Sequence, residues 1–440
     1  VTVTTQNVSA NCQLIGIMKN KYRNTDSSVK AGDLILTEEP FAYILSSKEQ
    51  GVRCDNCLER CKVLKCSGCQ FVHYCGRVCQ RDAWGDHKWE CANLKRAAPK
   101  VIPDGARMLA RVINRLQRGD GNKYRAFYSA NSFRMWKDLM SHYSDLKADK
   151  KRMDHFSTLC VVLFEFLKDI SLPNTVDLMG LYGRMVINSF TILDMDMNSI
   201  GSGIYLAASI IDHSCDPNAV ATFDGKTISI RAIKDMPCLD WRHVRISYID
   251  LMKTPFERQM ELQENYYFLC QCDRCMGKCF RYATIRCSEC GTKYTEKHIE
   301  AFIKAMEFTE LHLQNMKDVD VCKYCLERQE GVLHPLNVMH AQTLDHAFDA
   351  LIQVQLWEQA CVYAEKVIPC FSFYYGSMHP LLGLLHMKYG KILLYKMDLQ
   401  KALHQFKCAE KILKITHGDR HPLYKKYLLP MISQTLVESE

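Results

Sequence analysis

Eight residues of the types that bind zinc follow one another between Cys54 and Cys91, and this run constrains the fold more than any other feature of the sequence. It consists of four pairs at short spacing: Cys54-x2-Cys57, Cys66-x2-Cys69, Cys75-x3-Cys79 and His87-x3-Cys91. Two tetrahedral zinc ions need eight ligands, so the run predicts a two-zinc module. A segment this short buries too little apolar surface to fold alone, so metal would supply much of its folding free energy. A disulfide knot is the alternative, and the repeated spacing with one His argues against it.

The rest of the composition narrows the class of protein. At 440 residues the chain is long enough for roughly two to four domains. Its 23 cysteines fall mostly in short pairs, which indicates metal binding in a reducing compartment, the cytosol or the nucleus. The sequence has no run of about eighteen apolar residues, which predicts no membrane span, and Val1 to Asn20 lacks the pattern of a signal peptide.

The net charge of the chain is modest for its length. The net charge of +8 permits acidic partners but does not indicate binding to nucleic acid. The basic run Lys147 to Arg152 is expected to be a solvated helix face. Neither group of cysteines is followed by a recognition helix with base-reading side chains, which argues against direct nucleic-acid binding.

A second group of cysteines has a different spacing. Cys270-x-Cys272-x2-Cys275 offers three zinc ligands, and Cys215 can provide the fourth. A zinc ion there would hold two distant segments together. Four core thiols are the alternative interpretation.

The first cysteine run resembles a MYND finger, including Tyr74, Gln80, Trp84 and Lys88 between the ligands. This resemblance implies interleaved ligation, with Cys54, Cys57, Cys75 and Cys79 on one zinc and Cys66, Cys69, His87 and Cys91 on the other. Cys61 fits neither set and is expected to be a free thiol. MYND fingers generally bind proteins, often proline-rich peptides, so the resemblance implies a partner of that kind.

The second group resembles part of a SET domain. Asp212 to Asn218 matches the family motif Asn-His-Ser-Cys-x-Pro-Asn except at its first residue, and Tyr248 with Asp250 matches the tyrosine element that follows a strand. Asn188 begins a further Asn-Ser-Phe element. A SET domain interrupted by a MYND finger resembles the SET-and-MYND (SMYD) protein-lysine methyltransferases, and this resemblance covers nearly the whole chain.

The SMYD resemblance implies methyl transfer from S-adenosylmethionine to a lysine amine, with Tyr248 as the catalytic residue. The residues implied for the cofactor are His142, Asn188, Asp212, His213, Tyr248 and Phe268. Tyr266 and Phe268 are expected to line the channel for the substrate lysine, with core packing as the alternative for both. Cys215, Cys270, Cys272 and Cys275 correspond to the post-SET zinc site.

The sequence departs from the family at three places. The stretch Lys19 to Arg23 has no glycine where the family has a Gly-x-Gly-like cofactor loop. Asp212 stands where the family has Asn, which exchanges an amide donor for an acceptor. Met236 to Arg242 replaces the Gly-Glu turn before the catalytic strand. These departures leave a catalytically inactive scaffold, binding proteins through its finger and helical repeats, as the alternative function.

Two segments remain after the second cysteine group. Cys287, Cys290, Cys322 and Cys325 predict a fourth zinc site, with free thiols as the alternative and Cys279 as a competing ligand. His-Pro-Leu then recurs at His334, His379 and His421, with a glycine shortly before the last two. Glycine at a helix end and proline at a helix start are typical of stacked helical hairpins, which resemble tetratricopeptide repeats.

The predicted fold is a multidomain α+β protein that contains a split SET β-fold. Its segments are the N-terminal part of the SET domain (1–50), the MYND finger (51–92), a helical SET insertion (93–180), the C-terminal part of the SET core (181–255), the post-SET zinc segment (256–280), the additional zinc-binding segment (281–330) and a C-terminal TPR-like helical domain (331–440). We expect a monomer in cytoplasm and nucleus that binds three or four zinc ions and S-adenosylmethionine. Its expected substrates are histones or other proteins with a target lysine.

Overall fold

The computed structural model describes residues 27–168, 170–276 and 296–439. The chain divides into two compact units, and each unit is assembled from separate stretches of sequence. The first unit comprises Val1–Asp212, Ala221–Val244 and Asn265–Tyr267. The second comprises His213–Val220, Arg245–Glu264 and Phe268–Glu440.

The strands of the described residues are short. They are β1 (Leu34–Glu38), β2 (Ala42–Leu45), β3 (Leu64–Lys65), β4 (His73–Tyr74), β5 (Ala126–Phe127), β6 (Phe133–Arg134), β7 (Ser189–Leu193), β8 (Ser199–Ile204), β9 (Asp212–His213), β10 (Ala219–Asp224), β11 (Thr227–Ala232) and β12 (Arg245–Ile246). Two three-stranded sheets, in the orders β1-β11-β10 and β2-β8-β7, form the β part of the first unit. The small antiparallel pairs β3-β4 and β5-β6 accompany them.

The sequence explains the strands around the first turn. Asp33 donates its amide to the carbonyl of Lys30 at 3.0 Å, and Gly32 between them has a φ of +94°. A positive φ suits glycine because it lacks a Cβ. In β11 the residues Ile228 and Ile230 are fully buried and alternate with half-buried neighbours, as the period of two predicts. The turn and the alternating burial therefore both follow from the local sequence.

The helices of the first unit begin inside the finger and continue after it. They are α1 (Arg77–Ala97), α2 (Asp104–Gln117), α3 (Asp120–Lys123), α4 (Tyr143–Ala148), α5 (Lys150–Phe166) and α6 (Thr175–Asn188). Helix α2 buries Leu109, Val112 and Ile113 and packs against β2, α5 and α6. The three- and four-residue spacing of its apolar side chains is the reason that one face is buried.

Two expectations for this helical region were wrong in detail. In the basic run Lys147 to Arg152 the lysines are exposed, as expected for a solvated surface. The run is not one helix face, because Asp149 ends α4 and caps α5 by accepting a hydrogen bond from the amide of Arg152 at 3.0 Å. An aspartate at this position satisfies an amide that has no partner inside the helix. The region is also not purely helical, because the strands β5 and β6 interrupt it.

The second unit consists mainly of helices. They are α7 (Pro255–Tyr266, its last two residues in the first unit), α8 (Asp273–Met276), α9 (Glu296–His312), α10 (Val319–Gln329), α11 (Val338–Gln353), α12 (Trp357–Tyr375), α13 (Pro380–Tyr395), α14 (Leu399–Thr416) and α15 (Leu429–Ser439). Consecutive helices from α9 to α15 pack against each other as hairpins. This is the TPR-like arrangement that the sequence predicts. Across the described ranges, no helix combines the length and apolarity that a membrane crossing requires.

The repeated His-Pro-Leu motif has a physical basis in these hairpins. In each copy the Nδ1 atom of His334, His379 or His421 accepts the amide hydrogen of the residue two positions later, at 3.0 to 3.2 Å. At His379 this bond caps α13, which begins with Pro380. The histidine thus satisfies an amide at the helix start, and the proline has no amide to satisfy.

Candidate functional site

The first predicted zinc quartet comes together in the finger. The Sγ atoms of Cys54, Cys57, Cys75 and Cys79 all lie within 4.8 Å of one another. Cys79 lies in the first turn of α1 and the other three lie in the loops before it. Cys61 is exposed and lies outside both quartets of the finger, with its Sγ 3.5 Å from the carbonyl oxygen of Glu59. The structure therefore places it where the sequence predicts a free thiol.

The second predicted quartet also comes together in the finger. Cys66, Cys69, His87 and Cys91 bring their donor atoms within the same 4.8 Å limit. His87 and Cys91 are one helical turn apart on α1, and the β3-β4 pair orders the chain around Cys66 and Cys69. Nε2 of His87 faces the quartet, 3.6 Å from the Sγ of Cys69.

Donor spacing in both quartets fits zinc. A tetrahedral ion with a zinc–sulfur bond of about 2.3 Å separates its sulfur ligands by about 3.8 Å. The measured distances are 3.9 Å from Cys57 to Cys75 and 3.9 Å from Cys66 to Cys91. Close contact and burial oppose ionisation of two of these thiols: contact with Cys79 raises the pKa of Cys75 to about 12, and burial raises that of Cys91 to about 12. A divalent cation removes this penalty because it binds the thiolates.

A buried charge network orients the histidine ligand of the finger. Nδ1 of His87 lies 3.2 Å from Oε1 of Glu90, one turn later on α1. That carboxylate also accepts from Arg107 at 2.9 Å and from Arg111 at 2.7 Å, both on α2. Burial opposes ionisation of Glu90, but the two guanidinium groups hold its pKa well below the usual range. A carboxylate on the second nitrogen of a zinc-binding histidine fixes the ring orientation. Sequence reasoning missed this residue.

The third quartet belongs to the second unit. The Sγ atoms of Cys215, Cys270, Cys272 and Cys275 lie within 4.8 Å of one another, and Cys215 lies 3.9 Å from Cys270 and 3.4 Å from Cys275. These distances again suit a tetrahedral zinc ion. Donors from 55 or more residues apart meet here, so metal would hold the two segments together.

Two arginine side chains, Arg258 and Arg274, lie beside this quartet. Arg274 donates to the carbonyl oxygen of Cys215 at 2.6 Å. The fully buried Arg258 donates to the carbonyl oxygens of Lys253 and Arg274, and its Nη2 lies 3.8 Å from the Sγ of Cys275. A zinc ion with four thiolate ligands carries a net negative charge, so a buried guanidinium is a suitable neighbour.

Three of the predicted catalytic and cofactor residues form an aromatic group beside the third quartet. The ring centres of His213 and Tyr248 are 5.4 Å apart, those of His213 and Phe268 are 6.0 Å apart, and those of Tyr248 and Phe268 are 6.5 Å apart. The amide of Tyr248 donates to Nδ1 of His213 at 3.0 Å. All three rings are half-buried, so they form a partly open aromatic surface in the second unit.

The other predicted site residues lie in the first unit. The side-chain amide of Asn188 donates to the carbonyl oxygens of Met140 and Arg184 at 2.8 Å each. The first of these bonds holds the loop that contains His142, whose backbone is left-handed with a φ of +46°. His142 also contacts Asp145 through Nδ1 at 3.0 Å, and its ring centre is 5.7 Å from that of Tyr267. Thus Asn188 orients the His142 loop.

Glycine at position 183 allows this loop to lie close to α6. A Cβ on Gly183 would lie 2.2 Å from the carbonyl oxygen of Ser141, so any side chain there would push the loop away. Asp212 is exposed, and Tyr266 is the half-buried last residue of α7. The expected roles of Asp212 and Tyr266 stay predictions.

The segment that replaces the family's Gly-Glu turn is ordered. Met236 exchanges two backbone hydrogen bonds with Val29, at 2.8 and 2.9 Å. The side chain of Asp240 accepts from the amide of Arg242 at 3.0 Å, and Trp241 packs edge-on against Tyr128 with ring centres 5.4 Å apart. A turn held by Asp240 therefore stands where the family has its glycine turn. The stretch Lys19 to Arg23 lies outside the described residues.

Only half of the predicted fourth zinc set is described. Cys322 and Cys325 are fully buried on α10 in an apolar cluster with Met316 and Ala347. The thiol of Cys322 donates to the carbonyl oxygen of Met316 at 3.1 Å, and burial raises its pKa to about 11. These surroundings are those of core thiols. Cys279, Cys287 and Cys290 lie outside the described residues, so the fourth zinc site stays a prediction.

Comparison with known proteins agrees with this architecture. The family model of the MYND finger matches residues 54–91. Histone-lysine N-methyltransferase SMYD3 of Mus musculus is 30% identical over 407 residues, which cover 91% of this chain and 92% of that protein. SMYD3 of Homo sapiens is 30% identical over 405 residues with the same coverage. N-lysine methyltransferase SMYD2-A of Danio rerio is 26% identical and covers 92% of this chain and 94% of its own length.

Among solved structures, the TPR-like repeats of a putative kinesin light chain from Podosopora anserina overlap 32% of this chain and 67% of their own, at 12% identity and a TM-score of 0.25. That likeness is too low to support an argument. The two SMYD3 relatives are matched along nearly their whole length, including the finger and the helical C-terminal region. The chain therefore belongs to the SMYD family of protein-lysine methyltransferases, in which a MYND finger interrupts the SET domain.

Proposed function

We propose that this protein transfers a methyl group from S-adenosylmethionine to the side-chain amine of lysine residues in other proteins. The observation that carries the proposal is the group of His213, Tyr248 and Phe268 next to the third cysteine quartet. A site that orients a lysine amine needs a tyrosine hydroxyl, further aromatic rings and a loop that metal can stabilise.

The reaction is an in-line displacement, so the protein acts mainly by alignment and by excluding water. S-adenosylmethionine supplies a positively charged sulfonium that carries the methyl group. Tyr248 orients the lysine amine through its hydroxyl. Phe268 and Tyr266 are the residues that we propose for the lysine channel, and an apolar channel favours the neutral form of the amine, which is the form that can attack.

His142, Asn188, Asp212, His213, Tyr248 and Phe268 would hold the cofactor. The side chains present suit it: the aromatic rings of the second unit offer flat surfaces for a purine, and the exposed carboxylate of Asp212 suits a positive charge. The bond from Asn188 to the carbonyl of Met140 supports this role indirectly, since it fixes the loop that carries His142.

The proposed substrates are lysine-containing proteins, both histones and others. Among the relatives, SMYD3 is named a histone-lysine N-methyltransferase and SMYD2 an N-lysine methyltransferase. Proline-rich peptides are the proposed ligands of the finger, where Trp84 and Trp89 are both more than 40% exposed. We propose three resident zinc ions, and a fourth if Cys287 and Cys290 join Cys322 and Cys325. We propose that the protein is a monomer that works in cytoplasm and nucleus, the reducing compartments in which metal-binding cysteine pairs are typical.

Methyl transfer from labelled S-adenosylmethionine to histones and to lysate proteins tests the proposal, together with calorimetry of cofactor binding. Tyr248→Phe keeps the ring and removes only the hydroxyl. We expect it to keep cofactor affinity and to lower kcat about 10- to 1,000-fold, with a smaller change in KM, because the hydroxyl acts mainly while amine and methyl are aligned.

Tyr395→Phe is the matched control, because Tyr395 is 72% exposed on the surface of α13. It should leave the rate unchanged. A Tyr248→Phe variant as fast as wild type would remove the catalytic assignment. Absence of cofactor binding by wild type would support the scaffold function instead.

A further inference from the structure

The imidazole of His213 lies between the backbone of Tyr248 and the thiol of Cys215. The amide nitrogen of Tyr248 is 3.0 Å from Nδ1. On the other side of the ring, Nε2 is 3.2 Å from the Sγ of Cys215. All three residues belong to the second unit. One side chain therefore contacts both the proposed catalytic residue and a proposed zinc ligand.

These two contacts determine which nitrogen of His213 carries the proton. A backbone amide can only donate, so Nδ1 must accept with its lone pair. In a neutral imidazole the proton then lies on Nε2, which points at the sulfur of Cys215. Nε2 is thus a donor to the thiolate that a zinc ligand must be. The ring can serve both neighbours only in this tautomer.

We propose that His213 is a positioning residue that couples the zinc site at Cys215 to the backbone of Tyr248. This inference rests on the proposed function for the role of Tyr248, but the coupling itself does not depend on methyl transfer. The N–H···S bond stabilises the thiolate. The bond to the amide of Tyr248 fixes the position of the backbone from which the tyrosine side chain extends. Loss of either bond leaves one neighbour of the ring without its partner.

The surroundings of the ring support this role. Cys215 is fully buried, and its carbonyl oxygen is held by Arg274 at 2.6 Å, so the thiol has a fixed position. Phe268 packs against both His213 and Tyr248 and limits rotation of the imidazole. Partners of zinc ligands typically orient those ligands and tune the affinity for the metal. In the finger a carboxylate orients a histidine ligand; here a histidine that is not a ligand orients a thiolate.

Two substitutions separate the two bonds. His213→Asn places an amide oxygen near the position of Nδ1, so it can still accept from Tyr248 but cannot reach Cys215. His213→Gln places an amide nitrogen near the position of Nε2, so it can still donate to Cys215 but lacks the acceptor for Tyr248. The full-length zinc-loaded protein is used throughout.

The first readout is the rate at which each cysteine is alkylated during a challenge with EDTA, resolved by peptide mass spectrometry. We expect His213→Asn to raise the rates at Cys215, Cys270, Cys272 and Cys275 about 10- to 100-fold, and His213→Gln to stay within about twofold of wild type. The second readout is hydrogen exchange at the Tyr248 amide. It should be about five- to tenfold faster in His213→Gln and near wild type in His213→Asn.

Controls come from the same molecule. The finger cysteines should be alkylated at wild-type rates in both variants, which reports an intact first unit. Nε2 of His404 lies 3.8 Å from the Sγ of Cys408 on the surface of α14, outside the three quartets. His404→Asn and His404→Gln should therefore change neither readout.

The crossed pattern of the two variants is the expected result. If both variants affect both readouts equally, or affect neither, the coupling is refuted. Nitrogen-15 NMR of wild-type His213 provides an independent test that needs no variant, since a proton on Nδ1 would also refute it. An inactive wild type with the crossed pattern would overturn the proposed function alone; an active wild type without the pattern would overturn the coupling alone.

Discussion

Glu90 connects the finger to helix α2 through buried ion pairs. Its carboxylate is 5% exposed and contacts Arg107, which is 2% exposed, at 2.9 Å and Arg111 at 2.7 Å. Glu90→Gln keeps the shape of the side chain and removes its charge. Two guanidinium groups then lie in the interior, and Asp55 at 3.4 Å remains as a carboxylate partner of Arg107.

The burial of this network sets the size of the expected effect. Removing one partner of a buried ion pair costs about 3–5 kcal/mol, because the remaining charge is left in the interior. We expect Glu90→Gln to lower the free energy of unfolding of the first unit by that amount. Domains are typically stable by about 5–15 kcal/mol, so the loss is a large part of the total. Release of zinc from His87 should accompany it, because the ring loses its orienting carboxylate.

Urea unfolding of the full chain, followed by fluorescence and by a zinc-sensitive dye, measures both effects. Glu300→Gln is the matched control: its ion pair with Lys304 is short, at 2.6 Å, but both side chains are exposed, so the unfolding midpoint should not change. The double variant Glu90→Gln, Arg111→Met should recover part of the loss because it removes one uncompensated charge. A loss under about 1 kcal/mol for Glu90→Gln, the range of exposed pairs, would refute the argument.

Three further predictions concern metal content, pH and the helical repeats. Elemental analysis should find three or four zinc ions per chain, and one zinc or fewer in wild type would contradict the ligand assignment. Cys75→Ser should lose finger zinc but keep affinity for S-adenosylmethionine. Burial raises the pKa of Glu38 to about 7, so its contribution to stability is fully present below the unfolded pKa of about 4.5 and is lost as the pH rises through 7. That shift in pKa amounts to about 3 kcal/mol of stability. Glu38→Gln should therefore flatten the dependence of Tm on pH between 4.5 and 8. Equal slopes of Tm against pH in the variant and in wild type would show that another group is responsible. Tyr375 donates to the carboxylate of Asp250 at 2.8 Å, so Tyr375→Phe should destabilise the second unit by about 1.5–3 kcal/mol in a denaturant titration, and an unchanged midpoint would mean that the bond contributes nothing.

The zinc sites could be predicted because metal ligands repeat at spacings that local geometry dictates. Two cysteines separated by two residues can share an ion whatever surrounds them, so the pairs were visible without any tertiary structure. Glu90 was not visible in this way. On α1 it reads as an ordinary polar helix residue, and its arginine partners lie 17 and 21 residues later on another helix.

The same distinction applies to the proposed catalytic site. Family motifs identified His213, Tyr248 and Phe268, but the contacts of each ring nitrogen depend on how the loops pack. The basic run at Lys147 was predicted to be one helix face because charge pattern alone does not show where a helix ends. The capping bond of Asp149 decides that, and its effect depends on a backbone conformation that composition does not fix.

The order of the zinc ligands along the chain has a consequence for protein synthesis. All eight finger ligands have been translated by residue 91, whereas the third quartet is complete only at Cys275. At about 5–20 residues per second the ribosome needs on the order of 10–40 seconds to cover that distance. A nascent chain can therefore present a zinc-loaded finger well before it can align a methyl group. A chain whose translation stops in this interval would contain the finger ligands and lack the complete third quartet.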